Sequence, residues 1–180
     1  MKFYKEVVKF HGHSCPGLAM GFRMTQAAMD FLEIDRPKDE ELVAIVENDA
    51  CGVDAVQFIS GCTFGKGNLI FKDFGKMVYT FYDRKFGRAV RILRKANTKK
   101  RLSDLSREQI IDKIIESPFE ELFDIREVKI PQPEYSRLFE TIICDECGET
   151  VVETKTHKFK DKILCKPCYE KLATKNTKKH

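Results

Sequence analysis

The chain has 180 residues, 42% hydrophobic and 33% charged, enough to bury one core and append a small module. Its net charge of +4 is modest, and much of the excess sits in "RKANTKKR" and "KLATKNTKKH", so charge alone does not make it a nucleic-acid binder. No window nears the roughly 18 consecutive apolar residues of a bilayer span, and "MKFYKEVVKF" lacks the apolar centre of a secretory signal. The expectation is a cytoplasmic protein without membrane contact, whose seven cysteines serve metals or chemistry and not a disulfide framework.

Phe3, Val7 and Phe10 recur as on one face of a short helix. The next residues, "FHGHSCPGL", crowd two histidines, a cysteine, two glycines and a proline together, a mixture that an apolar core cannot satisfy. Pro16 suits a first helical turn, and Leu18, Phe22, Met29 and Leu32 then keep helical spacing, which puts Ser14 or Cys15 at a helix N-terminus. After Pro37, "LVAIVE" from Leu42 reads as a buried strand. A helix entered near Asn48-Asp49 and ended at Gly61 carries Cys51 at its start and Cys62 just past its end. "TFGKGNLIF" and "KMVYTFYD" read as two strands joined at Asp73 to Lys76, and "RAVRIL" as a third. Ser106 with Gln109 is spaced as a capping box, and "SPFEELF" repeats the start signal, giving a helical extension at about 103–125. The prolines of "IPQPEY" mark a linker at 131–138.

Beyond it, Cys144-Asp145-Glu146-Cys147 and Cys165-Lys166-Pro167-Cys168 are two C-x-x-C pairs seventeen residues apart. Four thiolates so spaced suit tetrahedral zinc, with an iron–sulfur cluster or a redox dithiol as the alternatives. The zinc would be structural: about forty residues have too small a core to fold unaided, and four thiolates leave no open coordination position. His157 reads as a surface residue.

In the core segment, Cys15, Cys51 and Cys62 stand beside glycine, proline or small polar residues. A helix between Cys51 and Cys62 would hold them about 16 Å apart, so only one can join Cys15 at one metal. Cys51 is the better placed, following a buried strand at a helix start, where the helix field favours thiolate. His11, His13 and Cys15 alternate along the loop and can share one side, as a His/Cys metal site or a Cys/His nucleophile pair requires. His13, Cys15 and Cys51 are the leading catalytic candidates, and His11, His13, Cys15 and Cys51 the candidate second metal site. Asp49 and Asp54 offer a general base or an orienting partner for a histidine, Lys66 in "GCTFGKGNL" offers a cation beside Thr63 and Asn68, and Cys62 completes the lesser candidates.

"FHGHSCPGLAMGFR", "VENDACGVDAVQFISGCTFGKGNLIFKDFGK" and the terminal paired C-x-x-C together resemble the FmdE-like family, named for a component of formylmethanofuran dehydrogenase, over about residues 5 to 95 and the zinc module. The resemblance implies an α+β core of helices on a mostly antiparallel sheet, a cleft lined by histidine and cysteines, a homodimer, and an appended zinc ribbon. It divides the chain into a core at 1–130, the linker, a zinc ribbon at 139–172 and a basic tail at 173–180. It also implies an accessory role to the molybdenum or tungsten enzyme that fixes carbon dioxide onto methanofuran in methanogenesis, with the polypeptides of formylmethanofuran dehydrogenase as partners. No molybdopterin-binding segment is visible, so the chain alone is not expected to run the redox step. Two other readings stand beside it: a regulator or adaptor whose zinc module and Lys155, Lys158, Lys160 and Lys162 bind nucleic acid or protein, and a metallochaperone.

Overall fold

The structure, a computed structural model, describes residues 2–177; the last three residues of the expected basic tail lie outside the described residues. The chain forms two compact units, residues 1–136 and 137–180. The larger has the order α1 (Lys2–His11), α2 (Pro16–Leu32), β1 (Leu42–Val46), α3 (Gly52–Ser60), β2 (Leu69–Phe71), β3 (Val78–Asp83), β4 (Arg88–Arg94), α4 (Thr98–Arg101), α5 (Arg107–Glu116), α6 (Phe119–Leu122) and β5 (Phe123–Val128). Its sheet runs β2-β1-β3-β4-β5, parallel between β1 and β2 and antiparallel elsewhere, so the fold is α+β.

β1 is buried at every residue, as its unbroken apolar run requires of a central strand covered on both faces. The helical face of the sheet holds Val7, Leu18, Met24, Tyr79, Phe81, Ile92, Ile114 and Phe123, each at or below 2% exposure. Burying side chains of this size contributes about 1.5–3 kcal/mol apiece. The opposite face carries a smaller cluster of Val43, Tyr82 and Ala89, backed by Ile70, Val128 and Ile130. The Ser106–Gln109 capping box forms on both sides, which explains the sharp start of α5.

Two features depart from the sequence reading. The segments read as a hairpin about Asp73 to Lys76 flank β1 on opposite sides, because Lys72 N–H bonds Val46 O (2.8 Å) and Lys76 N–H bonds Glu47 O (2.9 Å), wrapping the chain around the end of β1. β5 begins inside the stretch expected to be helical, and it caps the sheet at β4. Past β5 the chain stays on its unit through Arg84, whose guanidinium donates to Glu40 O, Pro133 O and Glu134 O and lies 3.8 Å from the centre of the Tyr135 ring.

The contact that positions the site lies between α2 and α3. A Cβ on Gly21 would fall 2.3 Å from the Cα and O of Gly52, and one on Gly52 would fall 2.5 Å from the Tyr79 hydroxyl and 3.1 Å from Gly17 O. The helices cross backbone on backbone, which only glycine permits.

In the smaller unit, β6 (Thr141–Ile143) pairs with β7 (Thr150–Val152), β8 (Thr156–Phe159) pairs with β9 (Lys162–Cys165), and α7 (Lys166–Thr177) follows. Its core is Cys144, Leu164 and Cys165, with Val151, Phe159, Tyr169 and Leu172 around them.

Gly21→Ala should lower unfolding stability by about 1–3 kcal/mol or more, because the atom it meets is backbone and cannot rotate aside. Gly65→Ala, where a Cβ meets nothing within 4 Å, should be neutral. Urea unfolding of both variants checks this; an unshifted midpoint for Gly21→Ala would contradict the crossing geometry.

Candidate functional site

The "HGHSC" segment is the connection between α1 and α2. His11 ends α1, Gly12 at φ +95° turns the chain while its N–H closes on Val8 O (2.8 Å), and this turn sets the His11 and His13 rings 4.5 Å apart. Cys15 is the N-cap of α2, its sulfur accepting the Leu18 N–H at 3.3 Å, and Pro16 follows as the first helical residue. Cys51 is the N-cap residue of α3. The glycine crossing therefore brings two helix N-termini and two thiols to one place. The position of a Cβ on Gly17 would be 3.9 Å from the Cys15 sulfur and 4.0 Å from the Cys51 sulfur.

One donor atom from each of His11, His13, Cys15 and Cys51 lies within 4.8 Å of all the others. Around them, the Nδ1 of His11 meets Asp54 Oδ2 at 2.7 Å, and its Nε2 is buried with no hydrogen-bond partner. A carboxylate on one ring nitrogen and an orphan on the other is the arrangement of a histidine prepared for a metal, the carboxylate fixing ring orientation and tautomer. The donor set of two imidazoles and two thiols suits zinc or a similar divalent ion. Without an ion, burial and then the neighbouring Cys15 push the Cys51 thiol above its ordinary value, so the helix field expected to lower it is outweighed.

Beside the cluster lies a cleft of about 380 Å³ whose polar wall is His11, Asn48, Asp49, Cys51, Asp54 and Gln57. Asp49 is exposed at its edge. Cys62 is elsewhere: fully buried, its thiol bonds Leu42 O at 3.3 Å, and burial pushes it up to about 11. Lys66 is also apart, its Nζ reaching Asp39 O at 3.4 Å. Its loop is tied internally, Asn68 Oδ1 accepting the Thr63 N–H (3.0 Å) and Thr63 Oγ1 the Lys66 N–H (3.3 Å), as a tight turn before β2 requires.

Two supports are invisible in the sequence. The buried Tyr79 hydroxyl donates to Asn48 Oδ1 (3.4 Å), and Asn48 holds both the Ala50 N–H (3.2 Å) and Lys76 O (2.6 Å), fixing the turn into Cys51. Glu47, 4% exposed, is paired through both carboxylate oxygens with Arg91. Tyr79 reads as one strand aromatic among several, and nothing in spacing couples positions 47 and 91.

In the smaller unit, Cys144, Cys147, Cys165 and Cys168 also place their sulfurs within 4.8 Å of one another. The Cys147–Cys165 separation is 3.9 Å, and sulfurs bound at ~2.3 Å to a tetrahedral zinc stand about 3.8 Å apart. Backbone N–H groups of Cys147, Cys165 and Glu146 bring the Cys144 thiol down to about 6, the behaviour of a metal-binding knuckle. Gly148 turns at φ +76°, and Asp145 Oδ2 accepts the Ile163 N–H (2.6 Å), joining the first pair to β9. The second pair sits at the end of β9 and in the first turn of α7, a helix that the sequence pattern does not announce. His157 stacks on Tyr169 at 4.7 Å and lies outside the sulfur cluster, and Lys162 is paired with Glu146 (2.8 Å). No described helix is long and apolar enough to cross a membrane.

The family model described as "FmdE, Molybdenum formylmethanofuran dehydrogenase operon" matches residues 10–124. An Archaeoglobus fulgidus protein described as "Probable S-adenosyl-L-methionine-binding protein" is 34% identical over 177 residues, which take in 82% of this chain and 48% of that protein. The chain thus spans about half the length of that relative. The crystal structure of an FmdE-like protein of tungsten formylmethanofuran dehydrogenase from Syntrophus aciditrophicus superposes with a TM-score of 0.73 at 25% identity, over 93% of this chain and 90% of that one.

At pH 8 only about one Cys62 thiol in a thousand is ionised at a value near 11, and none is accessible. Iodoacetamide treatment of the folded, chelator-stripped chain should leave Cys62 unmodified while Cys147 reacts; peptide mass spectrometry showing equal labelling would contradict the burial.

Proposed function

We propose, because this chain belongs to the FmdE family, that its core binds one metal ion on His11, His13, Cys15 and Cys51 and serves as a metal-binding accessory of formylmethanofuran dehydrogenase. The observation that carries the metal reading is His11, with Nδ1 held by Asp54 and a buried, partnerless Nε2. Cys15 and Cys51 would bind as thiolates, favoured by the two helix N-termini once a cation offsets their burial. A bound divalent ion would supply Lewis-acid character at the mouth of the 380 Å³ cleft. The four C-terminal cysteines would hold a structural zinc that stabilises the smaller unit. The accessory role draws on the family's description and on the FmdE-like crystal structure. Self-association into a homodimer belongs to the same reading, and Phe3, Phe10 and Phe64 offer exposed apolar surface for it.

The likeness to a protein described as binding S-adenosyl-L-methionine favours a second reading. In it the same cleft takes that ligand, with the Asp49 and Asp54 carboxylates opposite its sulfonium and ammonium charges.

The full chain should carry two metal ions, and Cys15→Ser about one, by elemental analysis; metal content untouched by the substitution would remove the core site. Asp54→Asn should weaken core-site metal affinity about 10- to 100-fold in competition with a chromophoric chelator, leaving the C-terminal site unchanged. Reconstituting the molybdenum or tungsten enzyme with and without this chain tests the accessory role, and equal activity and metal content would overturn it. Calorimetric titration with S-adenosyl-L-methionine tests the second reading; no heat of binding would assign that ligand to the part of the relative this chain does not span.

A further inference from the structure

A second cavity, of about 430 Å³, lies between the N-terminal half of α2, the end of β4, and the segment carrying α4 and α5, and the proposed metal site does not use it. Met20, Met77, Leu102, Ile110 and Ile114 form an apolar wall. The only charged side chain lining it is Arg94. The cations around it are engaged: Arg91 with Glu47, Lys95 with Glu120 O, Arg101 with Glu121 (2.7 Å), and Arg23 with Ser117 O (2.7 Å). Among the described residues, the Arg94 guanidinium has no hydrogen bond, ion pair or ring contact; only its backbone is tied, to Met77 O at 3.2 Å.

An arginine held without a partner at the end of a strand, over an apolar hollow, is complementary to an anion with an apolar body. Its planar fork binds a carboxylate through two parallel N–H bonds. The volume falls in the range of small-molecule pockets, which pair an apolar wall with a few fixed polar groups. The hydroxyl of Thr98 donates to Leu122 O (3.4 Å), leaving its lone pairs for a donor, and adds no competing charge.

We propose that this cavity binds a small amphiphilic carboxylate, with its acid group on Arg94 and its hydrocarbon body against Met20, Met77, Leu102, Ile110 and Ile114. The helical segment at 98–116, which the metal chemistry leaves without a role, then acts as the outer wall of a binding pocket. Gly17 lines the cavity as well, and its missing side chain leaves open a position about 4 Å from both the Cys15 and Cys51 sulfurs. A ligand seated here therefore reaches the thiol pair from the side opposite the His11 cleft, although binding itself does not depend on a metal.

Isothermal titration of the full chain with octanoate should show saturable binding at one site per chain, and octan-1-ol should bind at least tenfold more weakly, since a charge-assisted pair is lost. Arg94→Gln should weaken octanoate about tenfold while leaving the unfolding midpoint unchanged, Arg94→Lys should recover part of the loss, and Leu102→Trp should fill the cavity and abolish binding. The proposal is overturned by an absence of saturable octanoate binding, by equal affinity for octan-1-ol, or by undiminished affinity in Arg94→Gln. It is also overturned if octanoate fails to bind and Leu102→Trp changes the oligomeric state, which would make the cavity a contact between two copies of the chain.

Discussion

Gly21 and Gly52 touch backbone to backbone, and almost everything at the core site follows from how close that brings α2 and α3. Two helices with ordinary side chains at their crossing stay 8–10 Å apart. Here no side chain intervenes, so the starts of both helices converge, and each start carries a cysteine as its cap. The Tyr79 hydroxyl closes the crossing from the sheet side, so a strand residue with no reactive role limits where α3 can lie. The glycine conformational cost in mid-helix is offset by a contact that no other residue could make.

The electrostatics of the cluster oppose its emptiness. Two thiols, two imidazoles and the Asp54 carboxylate are gathered where burial already raises the Cys51 thiol, so anionic sulfur is disfavoured until a positive charge arrives. The C-terminal cysteines solve the same problem differently, with backbone N–H groups aimed at Cys144 that favour its thiolate before any ion binds. One site is organised by helix ends and a carboxylate relay, the other by a knuckle of peptide N–H groups.

The chemistry-bearing residues were legible because their types are conspicuous in sequence. Crowded His, Gly, Cys and Pro at 10–18 could not be core, and paired C-x-x-C spacing has few other uses. The placement of α1, α2, α3 and the capping box of α5 was legible for the same reason, since helix starts and periodic faces are local signals. Long-range pairing was not. That β2 and β3 flank β1 instead of forming a hairpin depends on hydrogen bonds at the end of β1, and β5 is short, with charged Arg126 and Glu127 masking its alternation. Tyr79, Asn48 and Arg91 act through partners 31 to 44 residues away, a distance over which a single sequence carries no spacing code. The α3 start showed which of Cys51 and Cys62 faces Cys15, because the other thiol is spent on a strand carbonyl.

Helical phase makes the crossing a ruler. From Cys15 to Gly21 is six residues of one helix, and each residue advances about 1.5 Å and turns about 100°. One residue added or removed in that interval would swing the thiol a quarter-turn around α2 while Cys51, adjacent to Gly52, stayed where it was. The count between a cap and a crossing glycine is thus a stricter requirement than the identity of most side chains between them, and the spacing C-x-x-x-x-x-G carries geometric information that its letters, taken one at a time, do not.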